Sequence, residues 1–225
     1  MRFSVTEIFS QVAATVNQEP DAPSGGSSEY NLWLQYTNRA VDEWANANDW
    51  ESLRKVFYPG ITGLSLASVS LPLDFKKLAG YPKVYGETET GTQFPEIIEE
   101  EEGLYSSNDK YVTITGGPNG RSIVFHPGTL ASGASVSIPY YATPTSLASP
   151  AEIPLVQDSQ FIVDRIIGYI FEARSDGRFQ LQEQKARERL LQMIEDDNLS
   201  KFNSYAGTSP VKNSLRKQNF RVGRD

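Results

Sequence analysis

The amino-acid sequence predicts an α+β fold: a four-helix bundle of two N-terminal and two C-terminal helices, with an inserted antiparallel β-domain and an extended C-terminal tail. Apolar residues recur at helical spacing near both ends of the chain, and alternating β-favouring segments occupy the middle. The last residues follow neither pattern. We therefore expect three parts: residues 1–58 with 143–198 as the helical bundle, 59–142 as the β-domain, and 199–225 as the tail.

The first helix is predicted over residues 5–16. Ser4 and Glu7 have the spacing of a capping box, in which each side chain accepts a hydrogen bond from the other residue's backbone. The apolar residues that follow are spaced by three and four, as one helix face requires: Val5, Ile8, Phe9, Val12 and Val16. Residues 18–28 are rich in Pro, Gly and Ser and indicate a loop.

The second helix is predicted from about Ser28 to Asn48. Its apolar stripe consists of Trp33, Tyr36 or Thr37, Ala40, Trp44 and Ala47. Packing against other helices explains these tryptophans better than an aromatic ligand platform, because no set of polar residues is expected to converge on them. Residues 50–57 suggest a short connecting helix or an extended segment.

Residues 61–142 predict a small antiparallel β-domain of five or six strands. Segments 111–115 and 122–125 alternate around a Gly/Pro/Asn turn at 116–120, which indicates a hairpin, and 134–141 reads as the last strand. Glu96 and Glu99–Glu102 form an acidic run, which favours a solvated loop over a metal site.

Two further helices follow residue 143. Asp158 is the expected N-cap of a helix that is apolar on most sides from Phe161 to Phe171, so this helix should lie at the centre of the core. Residues 175–177 end it, and a fourth helix is expected from about Arg178 to Asp197. The fourth helix has an apolar face and a charged face that suits solvent or a neighbouring subunit. The apolar face is Phe179, Gln182, Ala186, Leu190, Met193 and Ile194; the charged face is Glu183, Lys185, Arg187, Glu188 and Arg189.

The composition limits which catalytic and metal-binding sites the chain can contain. The chain has 225 residues, no cysteine, one histidine and a net charge of −7, and its pI is about 4.9. Disulfides, thiolate sites and multi-histidine metal sites are excluded, and no apolar run is long enough for a membrane span. His126 follows a strand and is expected to be structural. We expect no catalytic, metal or cofactor site, and no acid pair stands out for carboxylate catalysis. The low pI disfavours nucleic-acid binding by the part of the chain that precedes the tail, because phosphate contacts require clustered Lys and Arg.

The tail, residues 199–225, is basic. It has six basic residues against one acid, a net charge of +5, which leaves −12 on the rest of the chain. Its scattered apolar side chains cannot form a core, but they suit docking on an acidic or apolar partner. The residues expected to dock are Lys201, Phe202, Tyr205, Lys212, Leu215, Arg216, Lys217, Phe220, Arg221 and Arg224.

This layout resembles the head-to-tail connector, or portal adaptor, proteins of tailed bacteriophages. The resemblance covers most of the chain, and its motifs are the aromatic second helix (31–44), Leu71–Leu78 at the start of the β-insert, Ile138–Pro144, and the closing helices with a basic tail. It implies a virion neck protein, assembled in the host cytoplasm, that forms a homo-oligomeric ring, commonly of twelve copies. The implied partners are the portal protein, gripped by residues 200–224, tail or nozzle proteins, and double-stranded DNA passing through the lumen without sequence-specific binding.

A second hypothesis keeps the β-domain as a binding module for a glycan or another protein, such as a tail or receptor-binding component. Its tyrosines could provide stacking surfaces, although packing around a small core is the favoured interpretation. These residues are Tyr81, Tyr85, Tyr105, Tyr111, Tyr140 and Tyr141.

Overall fold

The computed structural model describes residues 2–18, 21–59, 68–85, 91–97, 109–117, 120–126 and 134–206, with only the backbone described for 203–206. It is a mixed α+β structure with four helices and antiparallel sheets. The chain divides into a helical unit, residues 1–51 and 146–225, and a β unit, residues 52–145. The boundaries expected from sequence were 58/59 and 142/143.

The helices are α1 (Val5–Val16), α2 (Ser28–Ala47), α3 (Ser159–Ala173) and α4 (Phe179–Ala206). The capping box at Ser4 and Glu7 is present, and the Asp158 side chain caps α3 by accepting from the Gln160 amide. Both N-termini are thus satisfied by the side chains that the sequence indicated. Ser175, in a left-handed conformation with φ of 56°, lies between α3 and α4.

Helix α3 is the centre of the helical unit, as predicted. It packs against α1, α2 and α4, and Phe161, Ile162, Ile166 and Ile167 are buried. Phe9 of α1 makes edge-to-face contacts with Tyr30 and Trp33 of α2. A helix that is apolar on most sides can bury its surface only by contacting several neighbours.

Two predictions for the helices were wrong. Ala47, assigned to the buried stripe of α2, is exposed, and Val41 and Ala45 are buried instead. A 3.6-residue period drifts away from a strict seven-residue repeat, and the buried face drifts with it. Helix α4, expected to end near Asp197, continues to Ala206, so residues 199–206 are not an extended tail.

The β unit contains eight strands among the described residues, more than the predicted five or six. They are β1 (Arg54–Phe57), β2 (Ser68–Ser70), β3 (Phe75–Leu78), β4 (Lys83–Tyr85), β5 (Thr92–Gln93), β6 (Tyr111–Gly117), β7 (Gly120–His126) and β8 (Ser135–Ala142). A short 3₁₀ turn, Glu51–Leu53, precedes β1. Residues 50–57 were predicted as either a short helix or an extended segment, and the structure has a 3₁₀ turn followed by a strand.

Strand β8 organises the larger sheet, whose order is β1-β8-β4-β5 with β3 also paired to β8. Strands β2, β7 and β6 form the second sheet. In β8, Val136, Ile138, Tyr140 and Ala142 are buried and their neighbours are more exposed, the alternation of a strand with one face on a core. Residues of both sheets form that core: Val69, Leu71, Phe75, Phe94, Val112, Ile123, Phe125, Val136, Ile138, Tyr140 and Ala142.

The β6–β7 hairpin predicted from sequence is confirmed. Its register runs from Tyr111 opposite His126 to Gly117 opposite Gly120. Gly116 has a φ of 96°, and a Cβ at this position would lie 2.3 Å from the Gly120 carbonyl oxygen. The end of the hairpin therefore requires glycine there, both for the backbone angle and for the close approach.

Candidate partner-binding surfaces

The single histidine, His126, which was expected to be structural, lies on β7 and stacks on a neighbouring ring. Its ring lies 4.4 Å from that of Tyr111 at an interplanar angle of 9°, and its Nε2 is 3.2 Å from Thr113 Oγ1. Within the described ranges, no three His, Asp or Glu side chains are grouped so that they could hold a metal ion. None of the described helices combines the length and apolarity needed to cross a membrane.

Helix α4 presents a second side to solvent. Residues spaced by three and four, Glu188, Leu191, Glu195, Leu199 and Phe202, lie along the side opposite the buried Ala186 and Met193. We call these five residues the outer α4 face. Leu191 is 53% exposed, Leu199 60% and Phe202 65%. Three large apolar side chains at this exposure on one helix side, interleaved with carboxylates, are typical of a protein-binding surface.

Arg189, one residue of the predicted charged face, points toward α3. Arg189 is half-buried, and it donates through Nε to Asp164 at 2.7 Å and through a terminal nitrogen to Asp158 at 3.1 Å. It therefore ties α4 to α3 and its N-cap. The α4 charges left for an outside partner, among those predicted, are Glu183, Lys185, Arg187 and Glu188, which are exposed.

The last turns of α4 are held by a buried carboxylate. Asp197, whose side chain is 7% exposed, pairs with Lys201 at 2.7 Å and accepts from Asn48 Nδ2 at 3.1 Å and from the Glu51 amide at 3.3 Å. Lys201 also donates to the Asp49 carbonyl oxygen. Lys201 is one of the residues predicted to dock on a partner, and in the structure its ammonium contacts Asp197 and the Asp49 carbonyl oxygen of its own chain.

We expect Lys201→Met to destabilise the helical unit by about 2 kcal/mol, because Asp197 would keep its burial and lose its cation. Hydrogen exchange should rise in residues 198–206, and urea unfolding should shift to lower concentration. Lys185→Met changes the same residue type at an exposed position of α4 and should leave both unchanged. Equal unfolding curves for the two variants would show that the pair does not hold the helix end.

A second cluster joins α2, α3 and α4. Glu43 accepts from Arg165 at 2.6 Å and from the Tyr169 hydroxyl at 2.5 Å, and Arg165 lies 3.9 Å from Glu183. Burial raises the pKa of Tyr169, and the hydrogen bond to Glu43 raises it further. Arg39 and Arg165 lie 4.3 and 4.8 Å from the Tyr169 ring centroid. The contacts of Glu43 with Arg165 and Tyr169 therefore join α2 to α3.

A cavity of about 530 Å³ opens between α1, α3 and α4. Its lining includes Asp164, Lys185, Glu188 and Arg189, so opposite charges balance there. The side-chain oxygen of Gln182 is buried in this region without a partner. The balanced lining does not select an anion or a cation, and Arg189 is already paired with two aspartates.

In the β unit, Leu73 projects from a turn and is 89% exposed. The turn is fixed by Asp74, which accepts from Lys55 at 2.7 Å and from the Tyr140 hydroxyl at 3.1 Å. The Thr143 amide donates to the Asp74 carbonyl at 2.7 Å. A large apolar side chain held on a rigid turn loses little conformational freedom on binding, which makes Leu73 a candidate contact residue.

Asp74 makes the β unit sensitive to acid. Burial raises the pKa of Asp74, but the bonds from Lys55 and Tyr140 outweigh it and the net pKa is lowered; burial and the bond to Asp74 raise the pKa of Tyr140 to about 12. The stabilisation is complete above the unfolded-state pKa of about 3.9 and is lost as the pH falls through the lower folded-state value.

We expect Asp74→Asn to weaken the β unit at neutral pH by about 1 kcal/mol, a value reduced for the partial exposure of the pair. Hydrogen exchange of β8 peptides, compared with wild type at the same pH, should be faster at neutral pH, and the difference should disappear as the pH falls through the lowered folded-state pKa of Asp74. Asp42→Asn, at an exposed site of α2, is the control. A difference that persists in acid would mean that the amide disturbs packing rather than charge.

The six tyrosines of the binding-module hypothesis do not form one surface among the described residues. Tyr111 and Tyr140 are buried, Tyr85 and Tyr141 are half-buried, and Tyr81 is 58% exposed. Tyr105 lies outside the described residues. In the described part of the β unit, the exposed large apolar side chains that sequence analysis missed are Val56, Tyr58 and Leu73.

Of the predicted docking residues, Lys201 and Phe202 lie on α4, and Tyr205 is in its last turn with only its backbone described. The remainder, from Lys212 to Arg224, lie outside the described residues, as do Glu99–Glu102. No protein-family model matches the chain, and no curated protein matches it.

Proposed function

We propose that the protein is a head-to-tail adaptor of a tailed bacteriophage, a virion neck protein that forms a ring under the portal and joins the capsid to the tail. In this proposal the four helices close into a bundle and neighbouring copies contact one another through α4. The observation that carries the proposal is the outer α4 face, followed directly in the chain by the basic segment 207–225.

The chemistry of α4 suits a ring. Head-to-tail rings use two different surfaces of each subunit, and the rotation between them closes the circle. The outer α4 face has exposed Leu191 and Leu199, which a neighbouring copy could bury. The carboxylates beside them would fix how the two copies align. Lys185 and Arg187 are exposed on the same helix and could form ion pairs with carboxylates of a neighbouring copy.

The charge distribution suits a DNA channel. Residues 207–225 have five basic residues and one acid, a net charge of +4, which leaves −11 on the rest of a chain whose total is −7. A body of this charge repels phosphate, so duplex DNA could pass through the lumen without adhering. The basic segment is then the part that reaches the portal.

The proposal is tested by mixing the purified protein with the portal protein of the same virus. We expect rings in negative-stain images and a matching mass in native mass spectrometry only when the portal is present. Leu191→Lys with Leu199→Lys should prevent ring closure, whereas Leu73→Lys, an equally drastic change in the β unit, should not. Failure of the wild-type protein to associate with the portal at any ratio would overturn the proposal.

A second candidate function, a protein-binding module, is favoured by Leu73 alone. Its exposure on a turn fixed by Asp74 suits contact with a tail or receptor-binding component. Leu73→Ala should then weaken association with the tail while portal docking is retained. A glycan array without hits would remove the carbohydrate version of this candidate.

A further inference from the structure

The outer α4 face ends where the undescribed C-terminal segment begins. Leu199 and Phe202 are followed on the same helix by Ala206, the last described residue, and residues 207–225 continue from it. Any segment that starts at this point is tethered to the face, so its effective concentration there is on the order of millimolar. A contact too weak to form between separate molecules can be well populated within one chain.

The two sequences are complementary in charge. Glu188 and Glu195 are exposed, and neither forms an ion pair with a described residue. In the C-terminal segment, Val211, Leu215 and Phe220 are each followed directly by a basic residue, respectively Lys212, Arg216 and Arg221. Apolar and basic side chains thus recur together in the segment, as apolar and acidic ones do on α4.

The lengths also fit. From Ala206 back to Glu188 along the helix axis is about 27 Å at a rise of about 1.5 Å per residue. The segment from 207 to 225 can span at most about 65 Å when extended, at about 3.4 Å per residue. Gly207 and Pro210 lie at its start, residues that are common where a chain leaves a helix and reverses.

We propose that residues 207–225 fold back onto the outer α4 face of their own molecule in the free protein. The basic side chains meet Glu188 and Glu195, and the apolar ones cover Leu191 and Leu199. Taken with the proposed function, this docking delays assembly, because the face cannot be covered by the segment and by a neighbouring copy at once. Capture of the segment by the portal would then free the face for ring closure.

The chain has no cysteine, so Gln192→Cys with Asn219→Cys places two spin labels, one beside the outer α4 face and one in the segment. Pulsed dipolar spectroscopy of the free protein should show a short-distance population at low salt. This population should be lost at about 1 M salt, where the Debye length is about 3 Å. It should also be lost in Glu188→Lys with Glu195→Lys, and retained in Asp21→Lys with Asp42→Lys, which makes the same change in net charge at exposed sites elsewhere.

Identical distance distributions in the outer-face variant and in wild type would overturn the proposal, and so would equal losses in both charge variants. Mixing two singly labelled proteins separates docking within one chain from docking between copies. A short distance that also appears in the mixture would assign the face to a second copy and overturn docking within the chain. No portal is present in any sample, so failure here leaves the adaptor proposal standing.

Discussion

Deletion of residues 207–225 should reduce docking on the portal by more than about 100-fold while the melting temperature stays unchanged. A 100-fold loss corresponds to about 2.7 kcal/mol, the contribution of a few charge-assisted contacts made at a partner surface. The deletion leaves α4 intact, because the described helix ends at Ala206. Sedimentation of the variant with portal rings measures the loss, and circular dichroism melting measures the fold.

The position of the cut decides whether this experiment can be interpreted. A cut before residue 200, at the end of the helix expected from sequence, would also remove Lys201 and leave the carboxylate of Asp197 buried without its cation. A matched variant keeps every residue and neutralises charge, with Lys212, Arg216, Lys217 and Arg221 changed to Gln. Undiminished docking by both the deletion and this variant would show that the segment does not grip the portal.

Trp44→Ala should destabilise the helical unit by about 3–5 kcal/mol, the usual cost of truncating a fully buried large aromatic side chain. The Trp44 ring stacks on Trp50 at 4.9 Å and 18°, and both are fully buried. Its Nε1 donates to Gln157 at 3.1 Å, and Trp50 Nε1 donates to the Trp44 carbonyl at 2.6 Å. The substitution therefore opens a cavity and leaves the Gln157 oxygen without its donor.

Urea unfolding followed by the fluorescence of Trp33 and Trp50 measures this loss. Leu191→Ala, a truncation on the outer α4 face, should change stability by less than about 0.5 kcal/mol. A Trp44 variant as stable as the Leu191 variant would mean that the stacked pair contributes to a ligand platform, the alternative that the sequence left open, rather than to the core.

The helices were predictable because their signals are local. The capping side chains Ser4 and Asp158 and the apolar spacing of α1 and α3 specify their own elements within a few residues. The last turns of α4 were not predictable, since their support is tertiary. Lys201 contacts Asp49, from the connection after α2, and no pattern within residues 198–206 reveals that contact.

The β unit shows the same division. The β6–β7 hairpin has long alternating strands and a glycine turn, and it was predicted. Strands β1, β3, β4 and β5 are two to four residues long, too short for alternation to be read, and three of them contain lysine. Strands β1, β3 and β4 pair with β8, and β5 pairs in turn with β4. The charged face predicted for α4 shares only Glu188 with the outer α4 face. The exposed Leu191 and Leu199 were missed because only the structure shows which side of the helix is covered.

Asn38 and Asp197 bind the two chain segments that lie on either side of residues 52–145. The side-chain amide of Asn38 donates to the Leu147 carbonyl at 3.0 Å, and its oxygen accepts from the Leu147 amide at 2.7 Å. Asn38 thus fixes the chain at Leu147, just after the β unit ends. Asp197 fixes it at Glu51, just before the β unit begins. Both contacts lie within the helical unit, at the positions where the chain leaves it and returns to it. Loop-closure entropy grows only slowly with length, so the free energy of closing the chain between these two contacts depends only weakly on the number of residues inserted there.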